Sequence, residues 1–206
     1  MNNLKGVLRS ATTMFLFVGL FGIWMGGCET QEQKIEKLIK QLRDQNEEVR
    51  WDAGYALGQI GKDAVPALVQ ALQDENAKVR FAAVYALSQR EGSVDAVPAL
   101  IQALQDEDAK VRFAAAYALG SIGEGAVDAV PALIQALQDE HVRGNAALAL
   151  GQIGTSEALE AAVPTLIKVL QDPDAEGRFR SIVARMLGEI GTPEALKAVE
   201  EYQSQQ

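Results

Sequence analysis

A short phrase, Val-Pro, returns at positions 65, 97, 130 and 163 of the 206-residue chain, at spacings of 32, 33 and 33 residues. A fixed period of this length constrains the fold more than composition does, because each copy is one small unit that cannot bury its apolar side alone. Such units gain a core only by stacking on their neighbours. A fifth copy without the proline, KIEKLIKQLRD at 34–44, precedes the others.

Each copy has two halves. In the first, Val97, Leu100, Ile101 and Leu104 fall at i, i+3, i+4 and i+7, the apolar stripe of a short amphipathic helix. The same spacing holds for Ile35/Leu38/Ile39/Leu42, Val65/Leu68/Val69/Leu72, Val130/Leu133/Ile134/Leu137 and Val163/Leu166/Ile167/Leu170. Pro66, Pro98, Pro131 and Pro164 suit a first turn, where a missing N–H breaks no bond. Asp63, Asp95 and Asp128, just upstream, are expected N-caps.

The second half is an Ala-rich helix running from "AKVR" to "LGxIG". Gly61, Gly123, Gly154 and Gly191 fit the left-handed position past its end. Gly58, Gly120, Gly151 and Gly188 let neighbouring helices approach closely. No strand-like alternation occurs. The expected fold is therefore all-α, an α-solenoid of five antiparallel helix pairs. The tail TPEALKAVEEYQSQQ, with Thr192 as N-cap and Pro193 at the first helical position, adds a C-terminal capping helix.

Asp44/Arg50, Asp74/Arg80 and Asp106/Arg112 recur at a spacing of six, followed by Asp139/Arg143 across a shortened turn and Asp172/Arg180 across a lengthened one. With the helix pairs, this pattern resembles HEAT repeats, specifically the roughly thirty-residue variety named for the phycobilin lyases, over residues 34–191. The resemblance implies that these Asp and Arg residues form a hydrogen-bonded ladder between successive turns. It leaves activity open, because function in repeat families sits on the surface.

The start of the chain reads differently. In MNNLKGVLRSATTMFLFVGLFGIWMGGC, Lys5 and Arg9 precede an uncharged apolar run from Ala11 to Met25, and Gly26 and Gly27 precede Cys28, the only cysteine. That is the layout of an export signal, and the run is short against the ~20 residues that span a bilayer. The ending MGGC resembles the lipobox of bacterial lipoproteins, with Met25 where Leu is usual. The expected organisation is a signal at 1–27, a short linker at 28–33 beginning at a lipidated Cys28, and the solenoid at 34–206. An uncleaved single-pass anchor is the alternative. Either way the solenoid is expected at the bacterial cell envelope, outside the cytoplasm, on a linker reaching at most ~20 Å.

Nineteen Lys and Arg face 28 Asp and Glu, a net charge of -9, which disfavours nucleic acid. One histidine, His141, excludes a multi-His metal site and a Ser-His-Asp arrangement. "GSIGEG" at 120–125 follows no strand, so it is helix punctuation and not a phosphate loop. The acidic turns lack the spacing and glycine of a calcium loop. No catalytic residue, metal or cofactor is expected.

The surface of the second helices is where function is expected. Counting about 100° per residue from each arginine, the position after it and the position four further on lie opposite the packed face. They hold Trp51 and Tyr55, Phe81 and Tyr85, Phe113 and Tyr117, then Gly144 and Leu148, then Ser181 and Arg185. Three units thus offer an aromatic stripe on the order of 20 Å long, and exposed apolar patches mark binding surfaces. Packing of the rings on one another is the alternative. Ser88 and Arg90 stand where other units hold Gly and Ile; Arg90 reads as a side chain snorkelling from a loosened helix end.

The expected function is a membrane-anchored, non-enzymatic scaffold that grips a protein segment, basic or aromatic in character, between stripe and acidic turns. The family resemblance offers an alternative, a phycobilin lyase or bilin chaperone. Self-association through the stripe is a third.

Overall fold

The computed structural model describes residues 29–89, 94–173 and 175–204. The signal at 1–27, Cys28 and Arg90 lie outside them. The chain divides into Met1–Lys34 and Ile35–Gln206. In the first unit, Thr30 and Gln33 cap each other: the Thr30 N–H donates to Gln33 Oε1 at 3.0 Å and the Gln33 N–H to Thr30 Oγ1 at 3.2 Å. This reciprocal capping box starts helix α1 at Gln31, so Gln31–Gln33 are helical where the sequence predicts linker.

The second unit is the predicted all-α solenoid, and no strand occurs among the described residues. Helix α1 (Gln31–Gln41), which belongs to this unit from Ile35 on, is followed by α2 (Glu47–Ile60), then α3 (Val65–Ala71) pairs with α4 (Ala77–Ser88), and α5 (Val97–Ala103) with α6 (Ala109–Ile122). Then come α7 (Val130–Ala136) with α8 (Arg143–Ile153), α9 (Ser156–Gln171) with α10 (Gly177–Ile190), and the capping helix α11 (Pro193–Ser204). Thr192 Oγ1 accepts the Ala195 N–H at 3.3 Å, as its capping role predicts. Among the described residues no helix is long and apolar enough to cross a membrane.

The core is continuous along the stack. Leu68, Leu100, Leu133 and Leu166 from the first helices meet Leu57, Leu87, Leu119, Leu150 and Leu187 from the second, all buried. Each stabilises by about 1.5–3 kcal/mol relative to exposure. Small residues set how closely the second helices approach. A Cβ added at Gly120 would lie 3.0 Å from the Cα of Ala149, and one at Gly58 would lie 3.0 Å from the Ala86 carbonyl oxygen. At Gly151 and Gly188 an added Cβ would meet nothing within 4 Å, so close approach requires glycine only in the earlier pairs.

Two local expectations are corrected. Asp63, Asp95 and Asp128 are not N-caps. The residues before α3, α5 and α7 are Ala64, Ala96 and Ala129, already right-handed helical and without a side-chain cap bond. Each lies in a 3₁₀ turn that runs straight into the helix; the Val65 N–H donates to the Lys62 carbonyl and the Val130 N–H to the Val127 carbonyl. The orphan amides that a cap would serve are thereby satisfied. Pro164 does not open a helix either. It sits inside α9, which begins at Ser156 because the segment from 156 to 162 is itself helical, and without an N–H it leaves the Glu160 carbonyl without its usual donor.

The four punctuating glycines have the positive φ expected, from 64° at Gly154 to 77° at Gly61. Gly154 and Gly191 are left-handed helical, with ψ of 4° and 9°. Gly61 and Gly123 adopt ψ of -138°, because a 3₁₀ turn follows. That combination is open essentially to glycine alone.

Candidate functional site

The second helices α2, α4 and α6 carry the six aromatic residues, and of these Phe81 packs against the core. Trp51, Tyr55, Phe113 and Tyr117 are 37, 55, 47 and 56% exposed, and Leu148 on α8 continues the line. Phe81 and Tyr85 are half-buried. Phe81 packs against the core, and the Trp51 ring is perpendicular to both, with centroids 5.8 Å from Phe81 and 4.6 Å from Tyr85 and planes crossing at 89° and 90°. Such perpendicular pairs are the favoured aromatic geometry. The stripe is thus a packed Trp51–Phe81–Tyr85 cluster and three more open rings, Tyr55 on α2 and Phe113 and Tyr117 on α6.

The cluster borders a groove of about 510 Å³ lined by Glu47, Trp51, Lys78, Phe81, Asp108 and Lys110 among others. The Trp51 indole N–H donates to Glu47 Oε1 at 3.3 Å, one helical turn back. The groove crosses the first turns of three helices that share one architecture. The carboxylates of Asp44, Asp74 and Asp106 accept the N–H two residues on. That second residue, Asn46, Asn76 or Asp108, is the N-cap and accepts the N–H of Glu48, Lys78 or Lys110. These two consecutive side-chain turns fix where each helix begins. In the shortened fourth turn Asp139 keeps its bond, to the His141 N–H, but Val142 provides no cap.

The arginines bolt the turns together. Within its own unit, each of Arg50, Arg80 and Arg112 donates from Nη1 to the main-chain oxygen of the Asp six residues earlier, at 2.7, 2.8 and 2.7 Å. Towards the next unit, Arg80 Nε donates to Asp106 Oδ2 and Arg112 Nε to Asp139 Oδ2, both at 2.7 Å. Arg80 Nη2 adds Asp106 Oδ1 at 2.8 Å and Glu107 Oε1 at 3.1 Å. The rung to Asp74 comes from Arg43, at 2.7 Å. Sequence reasoning missed Arg43, because the corresponding positions in later units hold Gln73, Gln105 and Gln138.

In the last two units the arginines meet rings. The Arg143 guanidinium lies 4.9 Å from the centroid of Phe179, which replaces the valine of earlier units, and that of Arg180 lies 5.8 Å from Tyr202. Both are within cation–π range. Arg180 Nε is buried without a hydrogen-bond partner among the described residues.

These contacts tune the carboxylates. Burial alone raises the carboxyls of Asp74, Asp106 and Asp139, but accepted hydrogen bonds and guanidinium charge outweigh it. Asp106 is held below its usual range by the Arg80 hydrogen bond, the Asp108 N–H and the charges of Arg80 and Arg112. Asp74 is lowered by the Asn76 N–H, Arg43 and Arg80, and Asp139 by the His141 N–H, Arg112 and His141. The Asp106 hydrogen bond in turn raises Arg80. Among the described residues no group of three or more His, Cys, Asp and Glu is placed to hold a metal, and His141 is an exposed turn residue.

A profile of HEAT repeats matches residues 35–106, 97–161 and 131–205. The chain belongs to the HEAT-repeat family. Among solved structures, this HEAT-repeat protein is similar to an engineered protein, at 27% identity over 82% of this chain and 85% of that one with a TM-score of 0.57. It is similar also to the complex of CpcE and CpcF of phycocyanin lyase from Nostoc sp. PCC7120, at 26% identity over 74% of this chain and 96% of that one with a TM-score of 0.65. A designed armadillo repeat protein solved with the peptide (KR)4 shares the fold, at 21% identity over 82 and 87% of the two chains with a TM-score of 0.58. No curated protein matches the chain in sequence.

Proposed function

We propose that this HEAT-repeat solenoid is a non-enzymatic interaction module, tethered at the cell envelope through a lipidated Cys28, that holds a protein segment against the aromatic side of its first three repeats. The exposure of Trp51, Tyr55, Phe113 and Tyr117 carries the proposal. Large rings held in solvent on a rigid helix layer cost little ordering when a partner covers them, which is why aromatic residues dominate interface energetics. A solenoid supplies such a surface without a catalytic pocket.

The test is affinity capture from detergent-solubilised cells with wild type and a Trp51→Ala/Phe81→Ala/Phe113→Ala variant whose helical signal is intact. A defined protein retained by wild type and lost in the variant supports docking on the rings. Equal capture by both would remove the aromatic face from the proposal. Separately, Cys28→Ser should move the protein from the membrane to the soluble fraction.

A second function is favoured by one observation, the likeness to a phycocyanin lyase complex over nearly the whole of that chain. A lyase-like role would require that the purified chain gain visible absorbance with an open-chain tetrapyrrole. A colourless mixture would dismiss it.

A further inference from the structure

The groove beside Trp51 and Phe81 contains Glu47, Arg50, Lys78, Asp108 and Lys110, and these differ in exposure and in the hydrogen bonds that hold them. The Glu47 carboxylate accepts the Trp51 indole N–H. Asp108 accepts the Lys110 backbone N–H as a helix cap. Arg50 is buried, with Nη1 donating to the carbonyls of Asp44 and Gln45. Lys78 and Lys110 are exposed, and among the described residues neither ammonium pairs with a carboxylate. By charge the groove holds three cations, Arg50, Lys78 and Lys110, against two carboxylates, Glu47 and Asp108, and the two lysines are its exposed cations.

Their place in the fold works against helix stability. Each is the second residue of its helix, where the macrodipole favours an acidic side chain, and α2 has Glu48 at the equivalent position. Arg178 repeats the choice in α10. In a chain with 28 acidic and 19 basic residues, the charged lining of this groove therefore has the opposite sign to the chain as a whole. The turn acids lie elsewhere in the network: Asp74, Asp106 and Glu107 are bonded to Arg43 and Arg80.

From this juxtaposition we infer that the segment received by the aromatic face is acidic, a peptide in which aromatic side chains alternate with carboxylates. Its rings lie against Trp51 and Phe81 and its carboxylates on Lys78 and Lys110. The inference rests on the docking function proposed above and reverses the partner charge that the acidic turns suggest from sequence. Apolar contact provides adhesion, and the lysines set the sign of the partner and speed its encounter.

The test uses the full chain in detergent and fluorescein-labelled peptides. One alternates glutamate with phenylalanine, a second has lysine for every glutamate, and labelled oligothymidylate is a third probe. Affinities are read by anisotropy at low salt for wild type, for Lys78→Glu/Lys110→Glu and for Trp51→Ala/Phe81→Ala. The charge-reversed variant places at two helix starts the residue type that α2 already has, and its thermal melt confirms folding. The glutamate peptide is expected to bind wild type at least about tenfold tighter than the lysine peptide, and charge reversal to invert that order. Equal or tighter binding of the lysine peptide, lost in the aromatic variant, would overturn the acidic assignment while keeping the docking function. Binding of the oligonucleotide in place of either peptide, or of no probe at all, would overturn both.

Discussion

Arg80 and Asp106 form a two-pronged bond between successive repeats, Nε to Oδ2 at 2.7 Å and Nη2 to Oδ1 at 2.8 Å, with the side chains only 8 and 11% exposed. The same guanidinium reaches back to the Asp74 and Glu75 carbonyls, so one side chain ties two turns of the solenoid. Only a planar fork with several fixed donors can do this.

Arg80→Lys keeps the charge and loses the fork. The lysine cannot serve two carbonyls and a bidentate carboxylate, so a buried acid and two carbonyls lose partners, at an expected cost of about 2–3 kcal/mol. Arg43→Ala breaks a similar bond to Asp74, but Arg43 is 54% exposed, and its loss is expected to cost below about 1 kcal/mol. Urea titrations of the two variants should rank them in that order. Equal losses would mean that burial does not set the strength of a rung.

The ladder also fixes a direction of pH dependence. Asp74, Asp106 and Asp139 are all held below their usual range. Around and below the unfolded value of about 4, the unfolded chain therefore binds more protons than the folded one, and stability rises with pH there. The contribution is complete above about pH 5 and is lost as pH falls through the lowered folded values. Melting temperatures should drop steeply from pH 5 to 3, and less steeply in Asp106→Asn. Parallel curves for wild type and variant would count against the ladder as the source.

The period, the helix pairs and the recurring Asp and Arg were legible because all of them are local or periodic, and the rungs from Arg80 and Arg112 to the next unit are of the kind the family resemblance implies. An i, i+3, i+4 stripe or an Asp six residues before an Arg needs no knowledge of what lies across the stack. What was not legible depends on register between units. Arg43 supplies a rung only because the stacking places it beside Asp74, 31 residues away. Asp63, Asp95 and Asp128 resemble caps in isolation but stand in 3₁₀ turns whose own backbone bonds make caps redundant. Helical-wheel counting placed the six rings on one face, yet it could not show that Phe81 packs against the core and that the Trp51 ring meets both Phe81 and Tyr85 at right angles.

Glycines of the second helices should respond in opposite senses. At Gly120 an added Cβ would press on the Ala149 Cα at 3.0 Å and Cβ at 3.2 Å, and backbone cannot move aside as a side-chain tip can. Gly120→Ala is expected to destabilise by about 1–3 kcal/mol through separation of α6 from α8. At Gly188 nothing lies within 4 Å and the backbone is helical, so Gly188→Ala should stabilise by about 0.5–1 kcal/mol. Thermal denaturation of the two single variants tests both signs at once.

The packed cluster and the open rings should separate stability from binding. Trp51 is in ring contact with Phe81 and Tyr85 and bonded to Glu47, so Trp51→Ala is expected to cost about 1–2 kcal/mol of stability. Tyr117 is 56% exposed on a helix whose opposite side makes the core. Its removal is expected to change stability by less than about 0.5 kcal/mol. If the face exists only to pack, Tyr117→Ala should be silent in every measurement. If it receives a segment, Tyr117→Ala should weaken peptide binding while leaving the urea midpoint where it was, because a ring already in solvent has its contacts only in the complex. That combination, an unchanged midpoint with lost affinity, cannot arise from packing alone, and it makes Tyr117 a sharper probe of docking than Trp51.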